Sequence, residues 1–150
     1  SIYETGTGDD TGQPRRSSGA ARQRRGGETM AGNPTFGQHI RDLREAKKAD
    51  DPTFSLRQFA LRVGISATFL SKIELGVFDP PKAEHIIRMA ELLDVDADEL
   101  LALANRTDPE LEKIIKTEPR AMADLLRTAR DRGLTADDLE RITRYMKKRS

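Results

Sequence analysis

The chain has no cysteine and no tryptophan in its 150 residues, only two histidines, two tyrosines and five phenylalanines. Without cysteine there is no disulfide framework, no thiolate metal site and no thiol nucleophile. His39 and His85 fall on separate expected helices and lack paired metal-ligand spacing, so no metal and no other cofactor is expected. No glycine-rich phosphate loop or histidine cluster is present, and the abundant acids read as helix caps and solvated faces. An enzyme is therefore not expected. No apolar run approaches membrane-spanning length, and the first residues carry no signal-peptide hydrophobic stretch, so a cytoplasmic protein without membrane contact is the expectation.

A strong net charge is also missing. Twenty-six basic and 25 acidic side chains leave +1, while 34% of residues are charged, which implies a well-solvated surface around a modest core. The balance is uneven along the chain. Residues 30 to 82 carry eight Lys/Arg against six Asp/Glu, and residues 83 to 150 carry thirteen against fifteen. The first half suits a phosphate-facing role and the second a partner-facing one.

Residues 1–29 read as a disordered tail. Gly, Ser, Thr, Arg and Gln dominate, and little beyond Ile2 and Tyr3 could offset the entropy of ordering. Arg15, Arg16, Arg22, Arg24 and Arg25 are nearly cancelled by four acids, which favours an inert tail over a DNA-seeking arm. The run Arg24-Arg25-Gly26-Gly27-Glu28 before Met30 also reads as a translated purine-rich ribosome-binding site, which makes Met30 the expected native start.

What is present is concentrated in residues 55 to 76. Ser55 can N-cap a helix whose inward positions are Leu56, Phe59, Ala60 and Val63, at spacings of three and four. Gly64 permits a left-handed turn. Ile65 plugs the angle, and Ser66 N-caps a second helix, 66–75, with Leu70 and Ile73 inward. Ala67, Thr68, Ser71 and Lys72 remain on its outer face. This is the plan of a helix-turn-helix, whose second helix enters a DNA major groove.

The same stretch resembles the Cro/cI-type regulators of the XRE family. Ser55, Phe59-Ala60, Val63-Gly64-Ile65-Ser66, Phe69-Leu70-Ser71, Ile73-Glu74, Gly76 and Pro80-Pro81 carry the resemblance, which spans roughly residues 35 to 104. It implies an all-α fold: a five-helix, lambda-repressor-like DNA-binding domain over residues 30–105. Thr35 is expected to cap the first helix, through about Lys48, with Phe36, Ile40 and Leu43 on one stripe. Pro81 suits the first turn of a helix to about Leu93, with Ile86, Ile87, Ala90 and Leu93 inward. Asp96 with Glu99 reads as a capping box opening the helix of Leu100, Leu101 and Leu103, with Asn105 as its stop. The connection from Ala49 to Phe54 is longer than most members have, and is expected to alter the flank rather than the fold.

Carried over by position, the resemblance implies base contacts from Ala67, Thr68 and Lys72, with Ser71 beside them. Lys72 can donate to guanine O6 and N7, and the methyl groups of Ala67 and Thr68 suit thymine. Ser66, Arg57, Lys82 and the backbone N–H groups after Gly76 are the implied phosphate contacts. Arg44 and Glu74 are implied to form the family's structural bridge. Phe69 reads as core packing rather than a sugar contact. Two departures weaken the expected grip on DNA: Leu56 stands where many relatives have Gln, and the loop after the second helix reads Val77-Phe78-Asp79 rather than basic. A dimer on a palindromic double-stranded operator follows as the expectation.

Residues 106–150 read as a helical C-terminal dimerisation or partner-binding region. Asp108-Pro109 opens a helix bearing Leu111, Ile114 and Ile115. Glu118-Pro119 opens another bearing Met122, Leu125, Leu126 and Ala129, stopped by Gly133. Thr135 to Asp138 resembles a cap for a last helix with Leu139, Ile142 and Met146 on one face. Three short amphipathic helices cannot each hide a stripe alone, which favours a homodimer. The basic end, Arg141, Arg144, Lys147, Lys148 and Arg149, complements the helix dipole. The arrangement with the DPELEKIIKTEP segment is similar to regulators controlled by ImmA/IrrE-type metallopeptidases. A sequence-specific dimeric repressor of its own operon is thus the leading expectation. An antitoxin-type module, binding DNA and a toxin partner, is the alternative.

Overall fold

The computed structural model describes residues 32–149, and the tail expected over 1–29 lies outside them. Among the described residues the chain is all-helical, with eight α-helices, one 3-10 turn and no strand. It divides after Arg106 into two units.

The first unit holds α1 (Pro34–Lys48), a 3-10 turn (Pro52–Phe54), α2 (Leu56–Val63), α3 (Ala67–Glu74), α4 (Ala83–Leu93) and α5 (Ala97–Leu103). Helix α1 starts earlier than Thr35. Asn33 caps it, accepting the Phe36 N–H at 2.9 Å, with Pro34 as the first helical residue. The Asn33 amide also donates to the Leu103 carbonyl at 3.0 Å, tying the entry of α1 to the end of α5. Helix α4 starts later than expected: Pro80 and Pro81 are buried before it and Lys82 is its N-cap. At α5 half of the expected capping box forms, with Asp96 accepting the Glu99 N–H at 2.9 Å.

Apolar stripes from all five helices meet in one core. Phe36, Ile40, Phe59, Leu70, Ile73, Ile86, Met89 and Leu101 are its largest fully buried side chains. Met89 was absent from the expected stripe of α4, while Ile87 is only half-buried. The long connection before α2 is more than a flank. Phe54 is 6% exposed and stacks on Phe59 at 5.9 Å between centroids, so the connection helps build the core. Asp51 opens the 3-10 turn, and the Thr53 hydroxyl and N–H it accepts hold its carboxyl below the ordinary range.

Helices α1 and α3 touch backbone to backbone at Gly37. A Cβ there would lie 2.1 Å from the Ile73 carbonyl oxygen, and no flexible side-chain end can give way. Gly37→Ala should therefore force α3 off α1 and lower stability by about 2 kcal/mol, read as a lower urea midpoint. An unchanged midpoint would show that this packing is not needed.

The second unit holds α6 (Pro109–Thr117), α7 (Pro119–Asp131) and α8 (Ala136–Lys148). Asp108 caps α6 by accepting the Glu110 N–H at 2.9 Å. Thr135 and Asp138 form a reciprocal capping box on α8, and the Thr135 N–H holds the Asp138 carboxyl below the ordinary range. No residue of these three helices is buried.

Candidate nucleic-acid interface

The candidate surface is built by two capped helices and the turn between them. Ser55 Oγ accepts the Gln58 N–H at 3.2 Å and starts α2. Gly64 ends it at φ +97°, a conformation that a Cβ would strain. Its N–H and that of Ile65 both donate to the Ala60 carbonyl, at 2.9 and 3.0 Å, closing the turn. Ser66 Oγ then accepts the Phe69 N–H at 3.0 Å and starts α3. With Leu70, Ile73 and Glu74 buried, α3 is anchored along one face and open along the other.

The anchor at its C-terminal end is ionic. Arg44 of α1, 3% exposed, forks onto Glu74: Nε donates to Oε2 at 2.7 Å and Nη2 to Oε1 at 3.0 Å. The same guanidinium donates through Nη1 to the Phe54 carbonyl at 3.1 Å and through Nη2 to Glu45 at 3.1 Å. The hydrogen bond to Glu74 raises the pKa of Arg44 further above its already high ordinary value. One buried cation thus joins α1, the connection and α3, and cancels the charge of Glu74 beneath the open face.

Ser66, Thr68 and Lys72 stand exposed on that open face. Ala67 differs from expectation: it is half-buried and packs against the core. Ser71 is half-buried in a cleft shared with Leu56, Leu75 and Arg41. Arg41 is an exposed cation of α1 beside α3 that the sequence analysis missed; its position three residues before Arg44 was the available signal. Arg57 is exposed on the first turn of α2. Lys82 is exposed and pairs with Glu84 at 3.2 Å.

The loop after α3 corrects one expectation at Val77 and Phe78. The N–H groups of Val77 and Phe78 both donate to the Lys72 carbonyl, at 2.9 and 3.2 Å, and that of Gly76 to Ile73 at 3.0 Å. These donors satisfy the end of the helix and are not open to a phosphate. Phe69 is half-buried, with its ring 6.1 Å from that of Phe78, and the Lys72 ammonium lies 5.6 Å from the Phe78 centroid. The loop is held from below by Arg106, whose Nε donates to the Pro81 carbonyl at 2.7 Å and whose Nη2 donates to the Pro80 carbonyl. Arg106 is therefore the last residue of the first unit, one beyond the expected boundary at Asn105.

Residues 37–106 match the sequence profile of a family described as "Helix-turn-helix domain". The matched segment, just under half of the chain, includes α2, the turn at Gly64 and α3. Over 126 residues the chain is 29% identical to a protein described as the uncharacterized HTH-type transcriptional regulator RghRB of Bacillus subtilis (strain 168), covering 73% of this chain and 87% of that one. It is also similar to a chain of a solved SinR protein/SinI protein complex, at 23% identity and a TM-score of 0.39, covering 75% of this chain and 94% of that chain. The match ends where the first structural unit ends, at Arg106.

Proposed function

We propose that this protein is an XRE-type transcriptional regulator that binds double-stranded DNA as a homodimer, with α3 lying in the major groove. The observation that carries this reading is α3 itself, buried on one face and presenting Thr68 and Lys72 on the other. Its support from outside the structure is the match to a helix-turn-helix family and the likeness to an HTH-type transcriptional regulator. Thr68, Lys72, Ala67 and Ser71 would meet base edges, while Ser66, Arg57, Arg41 and Lys82 would meet phosphates and fix register. A role as a repressor in the cytoplasm, acting on its own operon, completes the proposal.

Selection of bound sequences from a randomised duplex library tests it. The expected product is a two-fold-symmetric site with half-site centres about 10 base pairs apart; failure to enrich any sequence would reject sequence-specific recognition. Lys72→Ala should then lower affinity for the selected site about tenfold, with an unchanged thermal midpoint because the side chain is exposed. Equal loss on scrambled DNA would reassign Lys72 to a phosphate.

The C-terminal unit gives the dimer its proposed place. Leu111, Ile114, Leu125, Leu126, Leu139, Ile142 and Met146 are exposed on α6, α7 and α8, and Ile115 and Met122 are half-buried. An antitoxin-type module using the same faces against a toxin is the second reading, and faces still open in the purified dimer would favour it. Control by an ImmA/IrrE-type metallopeptidase that cuts these helices is a further proposal. Intact protein with undiminished DNA binding after incubation with the cognate peptidase would reject it.

A further inference from the structure

We propose that α8 recognises itself: it pairs antiparallel with α8 of a second copy, about an axis midway between Thr143 and Arg144. This inference rests on the homodimer reading above and specifies one part of its geometry.

Leu139, Ile142 and Met146 recur at helical spacing on one face of α8 and are 45%, 45% and 56% exposed. Thr143 falls on the same face at the helical repeat, and its hydroxyl is satisfied within the helix by donating back to the Leu139 carbonyl at 2.8 Å. A second copy of the same face is a suitable cover, and charge decides its direction. The start of α8 carries Asp137, Asp138 and Glu140, and its end carries Arg144, Lys147, Lys148 and Arg149. A parallel pair would set like ends side by side. An antiparallel pair sets acidic starts against basic ends.

The register follows from the helix repeat. At about 100° per residue, Glu140 and Lys147 border one side of the apolar face, and Asp138 and Arg149 border the other. In a two-fold antiparallel pair the same side of each helix meets its copy. The midpoint between Glu140 and Lys147 is also the midpoint between Asp138 and Arg149. A single axis there places Glu140 opposite Lys147 of the second copy and Asp138 opposite its Arg149, four cross-pairs in all. Within the chain, Arg141 pairs with Asp137 and Asp138, whereas Glu140 and Lys147 have no ion-pair partner among the described residues. A pair of 13-residue helices offers less than the about 1,200 Å² of a stable interface, so α8 sets direction and register while α6 and α7 add area.

The test uses the full chain with Glu140→Lys and Lys147→Glu made separately. Each homodimer then holds like charges at both of its Glu140–Lys147 positions, and its dissociation constant should rise about tenfold. Mixed together, the two variants regain opposite charges at both positions, and native mass spectrometry should find the heterodimer well above its statistical share. Unfolding cannot imitate that gain. A statistical share, with the unmutated chain dimeric, would overturn the antiparallel register and leave the homodimer reading standing. An unmutated chain that is monomeric while bound to its selected DNA would overturn both.

Discussion

Arg44→Ala is expected to cost about 3–5 kcal/mol, the loss typical of removing one partner from a buried ion pair. The guanidinium is buried and makes four hydrogen bonds, two of them to Glu74. Its removal leaves a carboxylate stranded at the base of α3 and the Phe54 carbonyl without that donor. Arg44→Lys should recover only part of the loss, since an ammonium cannot fork onto both carboxylate oxygens. Replacing Arg44 and Glu74 together by Met and Leu should cost far less than Arg44→Ala, because no charge is stranded. Urea unfolding of the four proteins measures this. Equal losses for the single and double variants would mean that the pair contributes nothing beyond packing.

Truncation after Arg106 is expected to leave a folded monomer whose affinity for the selected DNA is lower by about 10²–10⁴. The fold should survive because, among the described residues, every buried apolar side chain, from Phe36 to Ala104, lies in the first unit. Affinity should fall because two linked recognition helices engage one site far better than one does, and this domain has an acidic residue, Asp79, in the loop after α3. The cut has to follow Arg106. Ending the chain at Asn105 would remove the donor that holds the Pro80 and Pro81 carbonyls and would confuse a loop defect with loss of the dimer. Sedimentation and DNA titration of the fragment decide the matter. A dimeric fragment binding as tightly as the whole chain would refute the C-terminal assignment.

Much of the fold was legible where its cause is local. Ser55, Gly64, Ser66, Asp108 and Thr135 each act on backbone groups within a few residues, so a cap or a left-handed turn could be read from its neighbours alone. Local signals also compete, and there the sequence misled. Asn33 and Thr35 are both good caps, and Pro34 at the first helical position decides for Asn33. Pro81 suits the first turn of a helix, but Lys82 is the cap, and Pro80 and Pro81 are the buried approach to it.

The remaining features depend on contacts distant in sequence. Phe54 is buried because α1 and α2 close over the connection, and nothing in the connection itself announces that. Arg106 belongs to the first unit through carbonyls 25 and 26 residues away. The N–H groups of Val77 and Phe78 were expected to face a phosphate but turn back onto Lys72. On the candidate surface, the residue types of α3 and their spacing were readable, whereas the half-burial of Ala67 and the nearness of Arg41 to Ser71 were not.

The most direct test of the central claim is a fluorescence anisotropy titration of the full chain on the DNA upstream of its own gene, against scrambled DNA, across a salt series. The account predicts tight binding to the upstream DNA alone, with cooperative onset and steady loss of affinity as salt rises. Equal, weak binding to both duplexes at every salt concentration would contradict it.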